Sequence, residues 1–214
     1  MKRWLLLWLG LTACDAPFVE RGTRILIEPG GGFWEQPLPF DLRVDGLDPD
    51  APEAVGELFD AAVATLDGSW SDAAIVVPHT GVLGTETFPE DTLDRDATVY
   101  LMTLNDSPAR VAVTLEVEPE DGERPRSLVA RLAGATPEPN TRYALIVTDF
   151  VRNENNSRIG RTEAFNAAWE GIEDADPDLR ELALEVRAAL VRDGVDLAPI
   201  VGTVVFETGA EVRP

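Results

Sequence analysis

Cysteine, histidine and lysine each occur once in these 214 residues, as Cys14, His79 and Lys2, and only two tyrosines and two methionines are present. Each scarcity narrows the range of functions. A single cysteine forms no intrachain disulfide, so the fold must stand on its apolar core. One histidine and one cysteine cannot supply the clustered ligands of a zinc site. His79 is also the only imidazole available to activate a nucleophile, and no Gly-x-Ser-x-Gly elbow exists to present one. No apolar run approaches the roughly 20 residues of a membrane-spanning helix. Positive charge is short as well: 18 Lys and Arg against 39 Asp and Glu leave a net charge of −21, which disfavours nucleic acid as a partner.

What is present begins at the amino terminus. Lys2 and Arg3 are followed by the apolar residues 4–11 and then by Thr12-Ala13-Cys14, the layout of an export signal. The tetrad Leu11-Thr12-Ala13-Cys14 resembles the lipobox of bacterial lipoproteins. That resemblance implies cleavage before Cys14, a diacylglycerol on its thiol and an acylated new amino terminus. Membrane lipid held through acylated Cys14 is thus the first expected partner, and the bacterial cell envelope the expected location, on either the inner or the outer membrane. Each buried methylene contributes about 0.8 kcal/mol, so several chains anchor stably where one is marginal. Without Lys2 and Arg3 the mature chain is more acidic still. An anionic headgroup surface repels it within roughly 8 Å at physiological salt, so the globular part is expected to stand off the bilayer.

The length beyond the signal suits one large domain or two small ones, and one domain is the simpler expectation. The expected organisation is a signal peptide over residues 1–13, a lipidated tether over 14–37, a domain over 38–209 and a tail over 210–214. The tether is inferred from Gly30-Gly31-Gly32 and Pro17, Pro29 and Pro37, with one short β-like stretch at residues 24–28. In the domain, a turn at 39–42 leads into a short strand. Helical spacing of Val55, Leu58, Phe59, Ala62, Val63 and Leu66 predicts a helix over 52–66. Apolar or β-branched runs predict strands at 73–78, 98–104, 109–117, 127–132, 142–150 and 199–208. The strands at 127–132 and 142–150 are expected to form a hairpin. Further helices are expected at 162–171 and 176–193, the second closed by Gly194. Short, regularly spaced strands punctuated by Gly and Pro argue for a mainly β fold. It is expected to be a β-sandwich with the helices inserted as caps on its ends.

Four landmarks carry a second resemblance: Pro-Phe-Asp-Leu at 39–42, Leu66-Asp67-Gly68-Ser69-Trp70-Ser71 leading into 75–78, the segment 139–148 containing Pro139, Thr141 and Tyr143, and Val205-Phe206-Glu207-Thr208. Their order resembles the N-terminal Ig-like region of large bacterial surface lipoproteins, including surface lipases and S-layer-type Ig-like proteins. This implies an Ig-like β-sandwich acting as a non-enzymatic structural or binding module, with an envelope protein or polysaccharide as a further partner. The alternative it implies is the front region of a surface lipase or other hydrolase whose catalytic domain lies outside this chain.

Candidate chemistry beyond Cys14 is thin. Ser69, Ser71 and Asp72 lie close together, yet no strand-elbow-helix context surrounds them, and His79 at a strand end reads as a packed or surface residue. No catalytic residue is therefore assigned. Asp91, Asp94 and Asp96, or Glu118, Glu120, Asp121 and Glu123, could offer oxygen ligands to calcium, but neither group has the Asp-x-Asp-x-Asp-Gly loop with its distal Glu, and solvated acidic turns are the expectation. No cofactor is expected, with calcium as the alternative. Phe33-Trp34, Trp70 and Trp169 could form a sugar or peptide platform, although large aromatics in such folds usually fill the core.

Overall fold

Runs rich in β-branched residues recur between residues 74 and 207, and in the computed structural model they form the longer of nine strands among the described residues. The structure describes residues 22–27, 74–122, 125–134 and 136–208. Cys14, the expected strand after 39–42 and the expected helix over 52–66 lie outside these. The strands are β1 Ala74–Pro78, β2 Leu83–Gly84, β3 Val99–Thr103, β4 Arg110–Val111, β5 Val113–Glu118, β6 Ser127–Leu132, β7 Arg142–Thr148, β8 Arg152–Asn153 and β9 Ile200–Glu207. Two helices, α1 Glu163–Glu170 and α2 Pro177–Arg192, separate β8 from β9. The described fold is mainly β.

Among the described residues every pairing between these strands is antiparallel, while the isolated bridge of Arg24 to Gly160 is parallel. One sheet has the order β1-β6-β5, a second β4-β3-β7-β9, and β2 pairs with β8 in a short ladder. The expected hairpin of residues 127–132 with 142–150 does not form: β6 lies between β1 and β5, whereas β7 lies between β3 and β9. The connection between them changes sheets instead of turning back. Its Pro137 and Pro139 cannot donate to a ladder, and its path is held by the Glu138 amide, which donates to Tyr143 Oη at 2.8 Å.

The two larger sheets differ in how they are buried. Ile75 and Val77 of β1 are buried while Ala74 and Val76 are only partly so, and β5 likewise buries Val113 while Thr114 and Glu116 are exposed. In β3, β7 and β9 nearly every residue is buried whatever its parity. Alternate residues in a strand point to opposite faces, so this second sheet is covered on both sides. Arg142 of β7 makes a two-pronged contact with Glu185 of α2, at 3.0 and 2.9 Å, which identifies the helix-covered face. By parity and register that face carries Tyr100, Met102, Ala144, Ile146, Thr203 and Val205. The helices thus lie against a sheet face, not as caps on the ends of the strands.

The opposite face carries Leu101, Tyr143, Leu145, Val204 and Phe206, with Tyr143 and Phe206 stacked at a centroid distance of 5.5 Å. Gly202 lies on this face. A Cβ there would sit 2.7 Å from Ile25 Cγ2, so the absence of a side chain admits the segment 22–27. Ile25 and Ile27 are fully buried in the core, and Ile25 bridges to His79 at the end of β1. Part of the stretch expected to be tether is therefore packed into the fold. The apolar side chains of both sheets, this segment and both helices belong to one core.

Local sequence explains the helix limits. Thr162 caps α1 by accepting from the Phe165 amide, and Asp176 caps α2 by accepting from Asp178 and Leu179, with Pro177 in the first turn. Gly194 adopts a left-handed φ of 71°, letting the Val195 amide reach back to the Leu190 carbonyl and close α2.

Candidate binding groove

The closing turn of α2 and the chain that runs from it into β9 form one wall of a groove of about 430 Å³. Gly194, Val195, Asp196, Pro199 and Ile200 make this wall. Arg95, Asp96, Ala97 and Tyr100 come from the approach to β3, and Thr148 and Phe150 from the end of β7. The volume falls in the range of small-ligand sites, roughly 300–1,000 Å³.

Backbone-directed arginines brace the site. Arg95 Nη2 donates to the Gly194 carbonyl at 3.2 Å, tying the two walls together. Arg110 Nη2 donates to the Arg95 carbonyl at 3.0 Å and Nη1 to that of Asp94, while its guanidinium stands 3.8 Å from the Tyr100 ring centroid. The Asp149 amide donates to the Pro199 carbonyl at 2.7 Å, and the Thr148 hydroxyl to the Thr98 carbonyl at 2.9 Å. Phe150 is 46% exposed, with Arg158 5.2 Å from its ring centroid. Arg158 also pairs with Asp149 at 2.7 Å.

Tyr100 is 1% exposed and its hydroxyl has no hydrogen-bond partner among the described residues. Burial pushes its pKa up to about 12; the nearby Arg110 charge works against that rise and Asp193 adds to it. The phenol therefore stays protonated at neutral pH. None of the lining residues is a histidine, cysteine or serine, and the Thr148 hydroxyl is committed to a carbonyl. The arrangement offers apolar walls, two carboxylates and one guanidinium.

The residues singled out from sequence lie elsewhere or play other parts. Cys14, Ser69, Ser71, Asp72, Phe33, Trp34, Trp70 and Glu123 fall outside the described residues. Trp169 is 2% exposed in the core, its ring 5.4 Å from that of Phe165. His79 is 2% exposed, with neither ring nitrogen hydrogen-bonded among the described residues, and burial pulls its pKa down to about 4. Asp91 accepts the Leu93 amide through Oδ1 at 2.8 Å, and the Asp94 carbonyl accepts from Ala97, so this acidic loop is ordered by its own backbone. Among the described residues no three His, Cys, Asp or Glu side chains gather as a metal site.

Only Asp96 of the sequence candidates lines the groove. The others that line it, such as Arg95, Tyr100, Phe150 and Asp196, are ordinary residue types spread over about a hundred positions, with no spacing that would draw attention to them. No protein-family model matches the chain, and no curated protein matches it in sequence.

Proposed function

We propose that this chain is a bacterial cell-envelope lipoprotein, anchored through acylated Cys14, whose domain is an Ig-like β-sandwich serving as a non-enzymatic binding module. The layout before Cys14 supports the anchor, and the observation that supports the Ig-like part of the reading is the strand order. Ig-like domains place strands B, E and D together in one sheet and join C′, C, F and G in the other. Equating β1, β3, β4, β5, β6, β7 and β9 with B, C, C′, D, E, F and G reproduces the orders β1-β6-β5 and β4-β3-β7-β9. Residues 24 and 25, bridged to Gly160 and His79, take the place of strand A.

Tyr143 supports the same correspondence. Many Ig-like domains have a tyrosine near the start of strand F whose hydroxyl bonds to backbone a few residues upstream. Tyr143 is the second residue of β7, and its hydroxyl accepts from the Glu138 amide. Leu145, two residues further on and fully buried, stands where antibody domains carry the second cysteine of their inter-sheet disulfide. Apolar packing substitutes for that bond in a chain with one cysteine.

Under this correspondence the groove is built on the B–C and F–G connections, two of those that form the binding end of variable domains. The partners proposed are membrane lipid at Cys14 and an envelope protein or polysaccharide at the domain. Intact-mass measurement of the membrane-extracted protein beside Cys14→Ala tests the anchor. The expected result is a chain beginning at residue 14 with an acyl modification, absent from the variant, which moves to the soluble fraction. An unmodified Cys14 refutes it, and a mass far above this sequence would direct attention to a further, hydrolytic domain.

A further inference from the structure

We infer that the end of the domain bearing the groove is the end that faces the lipid surface. This rests on the acylation of Cys14. Seven residues, 15–21, separate that cysteine from Gly22. Even fully extended, the eight steps from Cys14 to Gly22 span no more than about 28 Å. The point where this tether joins the domain is fixed. The Arg24 amide donates to Thr80 Oγ1 at 2.9 Å, the Leu26 amide to the Pro78 carbonyl at 2.9 Å and the Gly160 amide to the Thr23 carbonyl at 2.9 Å, and Ile25 and Ile27 are fully buried.

Segment 22–27 runs antiparallel to β1, so Gly22 lies beside the outgoing end of that strand. β7 leaves the second sheet at Thr148 and β9 enters it at Ile200 beside the groove, and the chain after β7 meets the chain after β1, the Glu154 amide donating to the Val82 carbonyl at 3.1 Å, so the groove lies at this same end. The opposite end, at Leu104 and Leu132, lies one strand away, roughly 20 Å further at about 3.3 Å per residue. Electrostatics reinforces the geometry. A strongly acidic body repelled by anionic headgroups but held at one end extends away from them, leaving its tethered end nearest. The occupant of the groove is then a component lying close to the headgroups.

The sole cysteine makes the test direct. The chain from residue 14 is coupled through Cys14 to a maleimide phospholipid in nanodiscs carrying gadolinium-chelating headgroups, and methyl relaxation is read by NMR. The expected result is several-fold greater enhancement at Val82, Val151 and Ile200 than at Leu104 and Leu132. A chain with Cys14→Ser and Asp106→Cys, coupled at the far end, should invert the gradient. An equal or reversed gradient from Cys14, or the same gradient from both anchors, overturns the inference. Because the lipid is attached chemically, this outcome is independent of whether the cell acylates Cys14, which the mass measurement reads separately.

Discussion

Acidification should weaken this fold through His79, and the size of the effect follows from its burial. The ring is 2% exposed, so burial holds its pKa near 4 against an ordinary 6.5; the backbone of Thr80 and Gly81 works against that depression and the charge of Arg126 adds to it. In the unfolded chain the imidazole takes up its proton around pH 6.5. Between those two values the unfolded state binds more protons, so the histidine's contribution is fully present above pH 6.5 and is lost as pH falls through 6.5 towards 4. The shift corresponds to about 3 kcal/mol, a large share of the roughly 5–15 kcal/mol that stabilises a typical domain. Urea denaturation of the wild type and His79→Leu at pH 7.5, 6, 5 and 4 measures it, since groups titrating in both proteins cancel in the difference. The wild type should lose about 3 kcal/mol more than the variant over that range. Parallel curves for the two proteins would refute the reasoning. Because His79 bridges to Ile25, amide exchange at Arg24 and Leu26 should accelerate before the rest of the sheet as pH falls.

Three other perturbations probe the core and its ties. Gly202→Ala places a methyl 2.7 Å from Ile25 Cγ2 and should cost about 1–3 kcal/mol in chemical denaturation; an unchanged midpoint would show that segment 22–27 does not depend on the missing side chain. Tyr143→Phe leaves the stack on Phe206 intact but removes the acceptor of the Glu138 amide, so a loss of about 1 kcal/mol is expected and no loss would deny the corner its role. Arg142 and Glu185 are each about one-third exposed, so solvent screening limits their two-pronged pair to about 0.5–1 kcal/mol of coupling in a double-mutant cycle.

Much of the element list could be read from sequence because local chemistry wrote it. Thr162, Asp176, Pro177 and Gly194 mark the helix limits, and the β-branched runs at 99–103, 127–132, 142–148 and 200–207 mark strands. Strand partners were not legible, because alternation reports which faces are buried and says nothing about which strand lies alongside. The misplaced hairpin of β6 with β7 is the direct result. The β-like stretch at 24–28 was assigned to a tether because of the Gly and Pro residues around it, whereas the place Ile25 takes in the core depends on an absent side chain at Gly202, far along the chain. The groove was invisible for a similar reason: it draws on residues near 95–100 and 194–200 that meet only once β3 and β9 flank β7.

The insertion between β7 and β9 therefore has two inseparable tasks. Its helix α2 lies over the face that carries Tyr100, Met102, Ala144, Ile146, Thr203 and Val205, all buried. The turn that ends α2 then supplies Gly194, Val195 and Asp196 to the groove, and Arg95 fastens that turn to the approach to β3. A change in how α2 lies on the sheet would move one groove wall relative to the other. The groove is thus held by the packing of the core, unlike a site carried on a free loop. Rigid support of this kind favours binding, since a wall already in position has little ordering cost left to meet when a ligand arrives.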